Sequence, residues 1–294
     1  MSQRLLITGA FGLVGKVICR LLEDKYPEIE VTKVKCDEFS ADRVLKEHYA
    51  GYDFIIHAAG YGQPQMFSKD KPKTILLNTE YTDYLIRKLK KGGSFLFIST
   101  SEVYSGAPSP HTELSIGTTT PQHPRACYIE GKRCGEAICG AYREQGYDVK
   151  IARLALAYGE GTKKGDTRVI NQFIEQALTT GEIRMKDKGE AMRTYLYVED
   201  CAQMMLNILF KGTQPVYNVG GANHEVSIAG MAQLIASMTG AKVIPGDKGL
   251  DGAPDKVEMS VGLYCTEFPD YKFTPFTEGL LKTINYQKQL YGIH

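Results

Sequence analysis

The sequence has no apolar run of membrane-spanning length, no C-x-x-C pair and no Cys/His arrangement with zinc spacing. Formal net charge is only +1, from 35 basic and 34 acidic residues. That balance leaves no electrostatic footprint for DNA, RNA or an anionic membrane, so none of these partners is expected. No internal repeat or low-complexity tract is present, and no metal site is expected. Seven cysteines, Cys19, Cys36, Cys127, Cys134, Cys139, Cys201 and Cys265, are scattered along the chain. They read as buried free thiols in a reducing cytoplasm. Arg4 before the apolar Leu5–Val14 has the outline of a signal peptide. Glycines interrupt it, a helical pattern follows, and no clean small-residue cleavage site does. The expectation is a cytoplasmic protein.

What is present is a chain of 294 residues, 43% hydrophobic and 23% charged. That allows one large domain or two closely joined ones, with ample core. Leu5–Thr8 reads as a buried strand. Gly9, Gly12 and Gly15 follow it, and then a helical apolar pattern of Val14, Val17, Ile18, Leu21 and Leu22. A strand, a tight glycine turn and a helix N-terminus form an anion site, because the helix dipole and free N–H groups favour a phosphate. The spacing is Gly-x-x-Gly-x-x-Gly, and taken alone it also fits a turn that binds nothing.

Further strands are expected at Val31–Val34, Asp53–Ala59, Ser94–Thr100 and Val149–Ala155, with helices near Ala41–Tyr49, Thr74–Leu89 and Tyr128–Arg143. Tyr61–Lys73, rich in Gly, Pro and Gln, and residues 105–124, with four prolines, read as loops. Strands alternating with helices argue for an α/β, Rossmann-type doubly wound parallel sheet. Ligands of such sheets sit outside the carboxyl ends of the strands, where Gly9–Gly15, Ala58–Gly60, Thr100–Glu102 and the end of the Arg153 strand would fall. After Tyr158 the texture changes, with strands expected near 183–188, 193–198 and 216–219 and helices near 170–178, 199–209, 227–239 and 277–290. The expected division is a nucleotide-binding domain at 1–165 with a return near 195–220, and a smaller discontinuous α/β substrate-binding cap from 166–194 and 221–294.

Two constellations carry chemistry. Tyr128 and Lys132 stand at i and i+4, on one face of a helix. A neighbouring ammonium stabilises phenolate and lowers its pKa, so the pair would suit a general base acting on a hydroxyl. The same spacing also occurs as an ordinary surface pair. Ser99-Thr100-Ser101-Glu102 stands at a strand end. A hydroxyl there can hold a substrate oxygen, and the carboxylate can take a carbon-bound proton next to a ketone. A β-branched strand residue and a solvated loop charge are the bland alternatives. His57, beside small residues at a strand end, is expected to be structural, His111, His123 and His294 to lie in loops or at the terminus, and Met204 and Met205 to be core. Lys163, Lys164 and Arg168 suit either a phosphate or a solvated loop.

Taken together, Gly9-x-x-Gly12-x-x-Gly15, His57-Ala58-Ala59-Gly60, Asn78-Thr79, Ile98-Ser99-Thr100-Ser101-Glu102-Val103-Tyr104, Tyr128-x-x-x-Lys132, Arg153…Tyr158-Gly159, Arg193-x-Tyr195-x-Tyr197-Val198-x-Asp200 and Tyr217-Asn218-Val219-Gly220 resemble the extended short-chain dehydrogenase/reductases that modify nucleotide sugars. The resemblance spans nearly the whole chain. It implies Thr100 as the substrate-polarising hydroxyl, Tyr128 as the base, and Lys132 as its partner and a nicotinamide-ribose contact. Ser101 and Glu102 join the catalytic set. The cofactor site would comprise Gly9, Phe11, Gly12, Leu13, Val14, Gly15, Asp37, Ala58, Ala59, Gly60, Asn78, Tyr128 and Lys132. Arg193 and Tyr158 would meet the substrate. Thr100-Ser101-Glu102 is similar to the triplet of GDP-mannose 4,6-dehydratases and UDP-glucuronate decarboxylases, and the helix ACYIEGKRCGEAICGAY looks especially like the decarboxylases.

The sequence departs from that pattern at three places. Glu23 to Asp53 has room for one strand and one helix, not two of each. Leu156 stands where the family has asparagine, which removes a contact to the substrate diphosphate. Gly252-Ala253-Pro254-Asp255 stands where decarboxylases carry basic residues before Pro-Asp, so a sugar carboxylate would be held less firmly. NAD is the expected cofactor, because internal redox recycling suits a tightly held dinucleotide; Lys33 and Lys35 leave NADP open. The expected activity passes through a 4-keto nucleotide sugar, of dehydratase or decarboxylase type. A 4-epimerase or 4-reductase is the alternative, and a non-catalytic dinucleotide sensor is a third. The family's two dimer helices correspond in order to Thr74–Leu89 and Tyr128–Arg143, which implies a homodimer.

Overall fold

The computed structural model describes residues 2–35, 51–222, 225–247 and 256–293. Asp37, Cys36, the helix expected at Ala41–Tyr49, Gly252–Asp255 and His294 lie outside the described residues. The elements run β1 (Arg4–Thr8), α1 (Leu13–Lys25), β2 (Glu30–Val34), β3 (Tyr52–His57), α2 (Pro64–Lys69), α3 (Lys71–Asn78), α4 (Glu80–Ile86) and β4 (Leu89–Thr100). A 3-10 turn, Ser101–Tyr104, leads on to α5 (Ala126–Glu144), β5 (Asp148–Leu154), β6 (Leu156–Tyr158), α6 (Val169–Thr180), β7 (Glu182–Arg184), β8 (Met192–Tyr197) and α7 (Val198–Lys211). The chain closes with β9 (Val216–Val219), β10 (Glu225–Ser227), α8 (Ile228–Thr239), β11 (Lys242–Ile244), β12 (Lys256–Val257), α9 (Gly262–Glu267) and α10 (Phe276–Tyr291). Among the described residues no helix is long and apolar enough to cross a membrane.

The chain divides into two compact units. One comprises Met1–Ala107, Glu113–Leu154 and Cys201–Val219. Its sheet has the order β2-β1-β3-β4-β5-β9, and every pairing is parallel. The expected doubly wound sheet is therefore present. From β1 the chain steps outward to β2 and then crosses to β3 on the other side, so the order reverses between β1 and β3. One face carries Leu6, Ile55, Phe95, Phe97, Val149 and Ile151, packed with Leu77, Tyr81, Leu85, Cys139 and Tyr142 of α3, α4 and α5. Phe54, next to Ile55 and so on the opposite face, meets Phe210 of α7 edge-on at 4.9 Å.

The other unit comprises Pro108–Thr112, Ala155–Asp200 and Gly220–His294. Its small sheet has β8 flanked by β10 and β12, with β6 also paired to β8, and β7 and β11 form a separate parallel pair. Tyr158, Tyr195 and Phe276 form its aromatic core.

Two stretches differ from the sequence expectation. Tyr61–Lys73 is not a loop, because it contains α2 and the start of α3. Pro64 opens α2, and Pro72 sits in the first turn of α3, whose cap Asp70 accepts from the Lys73 amide at 3.0 Å. A proline that starts a helix uses a position whose N–H has no helical partner anyway. The single helix expected at Thr74–Leu89 is broken at Thr79, where φ/ψ of −116°/−80° ends α3 before α4 begins. Strand β4 starts earlier than expected, at Leu89. Met204 and Met205 are fully buried, as expected of core residues. Cys19, Cys127, Cys139 and Cys201 are buried free thiols, whereas Cys134 is exposed on α5.

Close approach is built in at Gly9. Its φ is +71°, and a Cβ there would lie 2.5 Å from the Ala58 carbonyl oxygen. Gly9→Ala combines left-handed strain with an overpacked contact, so it should cost about 1–3 kcal/mol. Thermal melts of the two proteins test this, and an unchanged midpoint would refute the tight β1–β3 approach.

Candidate active site

The carboxyl ends of the parallel strands gather the residues singled out above. In the register, Thr8 pairs with His57, His57 with Phe97 and Phe97 with Ile151, while Thr100 pairs with Leu154. Strand β4 therefore carries Thr100 three residues past the level of His57.

At the β1 end, the Gly12 amide donates to the Gly9 carbonyl at 3.0 Å, and Gly12 caps α1. A Cβ on Gly15 would lie 2.2 Å from the Gly9 oxygen. The turn thus folds against its own helix, and the first amides of α1, those of Leu13, Val14 and Gly15, precede any intrahelical acceptor. No acidic residue occupies the first turn of α1 to compete for an anion. Phe11 is exposed at the tip of this turn, with the Lys35 ammonium 5.5 Å from its ring centre. Lys33, by contrast, is paired with Glu23 at 2.5 Å.

His57 joins three segments. Its Nδ1 and the Thr8 hydroxyl are 2.8 Å apart, and its Nε2 is 2.8 Å from the Leu77 carbonyl oxygen. The Leu77 carbonyl can only accept, so Nε2 carries the proton and Nδ1 accepts from Thr8. The Thr8 oxygen in turn accepts from the Ala59 amide at 3.2 Å. Burial, then the nearby Lys132 charge, push the imidazole pKa down to about 3, against a smaller upward pull from the Leu77 hydrogen bond. His57 is thus a neutral structural residue, as expected.

At the β4 end, Thr100 caps the 3-10 turn by accepting from the Glu102 amide at 3.3 Å; Ser101 begins that turn. The Tyr128 phenol shares a hydrogen bond with the Thr100 side chain. The Glu102 carboxylate is paired with Arg125 at the N-terminus of α5. Thr100, Glu102 and Tyr128 thus come together as expected. The electrostatics differ from the expectation. Burial and then the Glu102 charge push the Tyr128 phenol up to about 12, against downward pulls from Thr100 and Arg125. Lys132 is buried; its ammonium donates to the Ile98 carbonyl at 2.6 Å and lies 4.6 Å from the centre of the Phe97 ring. It borders Gly60 and Asn78: a Cβ on Gly60 would be 3.7 Å from the Lys132 ammonium and 3.8 Å from the Asn78 side-chain oxygen. Asn78 is buried, its amide nitrogen donating to the Thr74 carbonyl at 2.7 Å, while its Oδ1 has no partner among the described residues. That is a buried acceptor awaiting a donor.

Phe67 and Arg125 were not singled out from the sequence. The Phe67 ring lies parallel to Tyr128 at 4.7 Å and 4°, and the Arg125 guanidinium stands 5.3 Å from the Phe67 centre. The signal for Phe67 was the pair of helix-starting prolines around it. Arg125 precedes the helix as its N-cap and carried no periodicity.

Beneath Thr100 lies a part-buried ionic cluster. The Ser99 hydroxyl donates to Glu136 at 2.5 Å, and Arg153 holds both Glu136 oxygens, its Nη2 at 2.6 Å from Oε2. Arg153 also donates to the Tyr104 hydroxyl and to the Glu113 carbonyl, each at 2.9 Å. The Tyr104 hydroxyl donates to Asn218 Oδ1 at 2.6 Å, and the Asn218 amide donates to Glu113 at 2.8 Å.

The remaining candidates belong to the second unit. Tyr158 is fully buried and donates its hydroxyl to the Phe276 carbonyl at 3.1 Å; burial pushes its pKa well above the ordinary phenol range. These contacts make it part of that unit's core. Arg193 is half-buried on β8 and donates to its neighbour's carbonyl, Met192, at 2.7 Å. Leu156, which replaces the asparagine, is exposed. Arg168 is held by the buried Asp166 carboxylate, with Nη2 at 2.5 Å.

A parallel sheet with this glycine turn, and a Thr–Tyr–Glu group at the end of its fourth strand, define a dinucleotide-fold enzyme scaffold. Residues 5–220 match the NAD dependent epimerase/dehydratase family, and the chain belongs to that family. It is 33% identical over 263 residues to UDP-glucuronic acid decarboxylase 1 of Xenopus tropicalis, covering 81% of this chain and 61% of the relative. The corresponding protein of Danio rerio is 31% identical over an alignment of 316 positions, covering 97% of this chain and 72% of the relative. The fold is that of the UDP-glucose 4-epimerase of Thermotoga maritima, solved with UDP-glucose, with a TM-score of 0.82 and 22% identity over 98% of this chain and 99% of that one.

His57 predicts a pH dependence of stability. Above the ordinary value of 6.5 it is neutral whether folded or unfolded, and its contacts contribute in full. As pH falls from 6.5 towards about 3, only the unfolded chain takes up the proton, so stability is lost. Melting midpoints should therefore drop with acid across this window, and less steeply in His57→Asn. Equal slopes would assign the loss to other groups.

Proposed function

We propose that the chain is an NAD-dependent nucleotide-sugar enzyme that works through a 4-keto intermediate, of dehydratase or decarboxylase type. The observation that carries this is the meeting of the Thr100 hydroxyl, the Tyr128 phenol and the Glu102 carboxylate at the carboxyl end of β4. The family's description and the names of the decarboxylase relatives support it.

The residues present fit a dinucleotide. The glycine turn is closed so tightly that a Cβ at Gly9 or Gly15 would strike backbone, which brings the α1 amides of Leu13, Val14 and Gly15 to the surface of the turn for the diphosphate. Gly12 and Phe11 complete this turn, and Asp37 is assigned to the adenine side. Ala58, Ala59, Gly60, the orphaned Asn78 oxygen and Lys132 would hold the nicotinamide half. When bound, the nicotinamide supplies reversible hydride acceptance.

The protein's own residues supply the proton chemistry. Tyr128 accepts the proton of the sugar 4-hydroxyl, and Thr100 holds the oxygen concerned. The phenol is too weak an acid in the protein alone to be ionised at neutral pH, with a pKa near 12. Added positive charge on its neighbours is therefore what its function requires. With C4 a ketone, the C5 proton becomes acidic. In a dehydratase Glu102 accepts that proton, and the C–H electron pair passes into the enolate. In a decarboxylase the electron pair of the C5–carboxylate bond enters the enolate as carbon dioxide leaves, and C5 then takes a proton. Arg193 is assigned to the substrate diphosphate. The first unit would carry the dinucleotide and the second the sugar nucleotide. We place the enzyme in the cytoplasm as a homodimer, with Ile75 and Leu76, half-exposed on α3, among the residues of its contact face.

Incubation with NAD and, separately, UDP-glucuronic acid, UDP-glucose and GDP-mannose, read by mass, tests the reading. Loss of carbon dioxide or of water is the expected outcome. An isobaric product separated from its substrate by chromatography would instead identify a 4-epimerase, and no change in mass or retention for any of them would count against catalysis. Tyr128→Phe should reduce turnover by at least about 100-fold while dinucleotide binding persists, the usual scale for a lost acid–base group. Undiminished turnover would remove Tyr128 from the mechanism.

A further inference from the structure

We infer that Arg125 is the positioning residue for Glu102, clamping one carboxylate oxygen so that the other faces its proton-transfer partner in a fixed orientation. This rests on the dehydratase form of the functional reading above, in which Glu102 accepts the C5 proton.

Three observations carry it. The first is the pairing: Arg125 donates through Nη2 to Glu102 Oε1. The second is the state of the other atoms. Glu102 Oε2 and Arg125 Nε are both buried, and neither has a partner among the described residues. A carboxylate held on one oxygen and left with a buried open acceptor on the other is costly as a purely structural arrangement. It suits a group that takes up a proton from outside the chain.

The third observation is the stack. The Arg125 guanidinium, the Phe67 ring and the Tyr128 ring lie in succession, with centre-to-centre distances of 5.3 and 4.7 Å. Phe67 is itself fully buried on α2. The Cys127 thiol reaches its carbonyl at 3.6 Å, which ties α2 to the first turn of α5. The guanidinium thus lies against the same ring that stacks on the Tyr128 phenol. Arg125 also occupies the N-cap of α5, three residues before Tyr128. One short stretch of chain therefore aims the base at the hydroxyl and the clamp at the carboxylate. A lysine at this position would keep the charge but lose the planar fork and the stacking face.

The charges support the geometry. Burial raises the Glu102 pKa, and Arg125 pulls it back down. The Glu102 charge raises Tyr128 and the Arg125 charge lowers it. Arg125 thus opposes the effect of burial on Glu102 while offsetting the effect of Glu102 on the phenol.

The test is a double-mutant cycle of Arg125→Met and Glu102→Gln, with Arg125→Lys as the conservative variant. Each protein is incubated in D2O with NAD and each of the three nucleotide sugars above. The readouts are deuterium incorporation at C5, kcat, KM and the melting temperature. Arg125→Met should lower C5 exchange and kcat by about 100-fold, with KM nearly unchanged, because the loss is one of orientation. Arg125→Lys should recover part of the rate. In the Glu102→Gln background, Arg125→Met should add almost nothing, the signature of two residues acting as one unit. Multiplying losses, or full exchange in Arg125→Met, would overturn the clamp. Undiminished exchange in Glu102→Gln would overturn the functional reading of Glu102 instead. If Arg125→Met does not fold, Arg125→Lys alone decides: a wild-type rate at a wild-type melting temperature overturns the clamp, and a selective loss of kcat supports it.

Discussion

The Thr8–His57–Leu77 bridge is the interaction on which the geometry of the first unit depends. It spans the ends of β1 and β3 and the last turn of α3, and each of its atoms has one available role. The Leu77 carbonyl fixes the tautomer, the tautomer makes Nδ1 an acceptor, and the Thr8 hydroxyl must then donate to it. The Thr8 oxygen is left to receive the Ala59 amide. The arrangement has no slack, and it stands immediately behind the glycine turn and beside Gly60. A charged imidazole would break it, and burial keeps that form out of reach.

On this base the active residues are arranged by two separate mechanisms. Thr100 and Glu102 come from a strand end and its capped 3-10 turn, whose geometry is set by backbone hydrogen bonding. Tyr128 and Arg125 come from the start of α5, pressed against α3 through a glycine: a Cβ on Gly135 would lie 2.4 Å from the Asn78 carbonyl oxygen. The phenol is buried where its ionised form is disfavoured, and the carboxylate beside it increases that penalty. The protein alone therefore holds a protonated tyrosine next to an arginine-bound carboxylate, and cationic charge must offset both effects for the phenol to act as a base.

Much of this arrangement was legible in the sequence. The parallel sheet follows from apolar runs separated by helical periods, and the glycine turn from its spacing. Strand end and helix face made Thr100, Glu102, Tyr128 and Lys132 candidates, and the family resemblance gave them their roles. What the sequence concealed was of two kinds. Pro64 and Pro72 were punctuation that could end a helix or begin one; an Asp70 cap marks the start at Pro72, whereas no side chain caps the helix that Pro64 opens. Phe67 was hidden with them. Arg125 lies in the irregular approach to α5, where no periodicity assigns a partner. The direction of the Tyr128 shift differs from the expectation because i,i+4 spacing shows a neighbour but neither the burial nor the Glu102 charge that raise the phenol.

The cluster of Ser99, Glu136, Arg153, Tyr104, Asn218 and Glu113 links four segments far apart in the chain by hydrogen bonds and a part-buried ion pair. Removing Glu136 or Arg153 strands the charge of the other in a part-buried site. Single replacements here pass through a poorly tolerated intermediate, so descendants of this sequence can change the cluster only in concert. The floor under Thr100 is therefore inherited as a block. The ground beneath the reacting centre is thereby the part of this unit that gives least room for stepwise change.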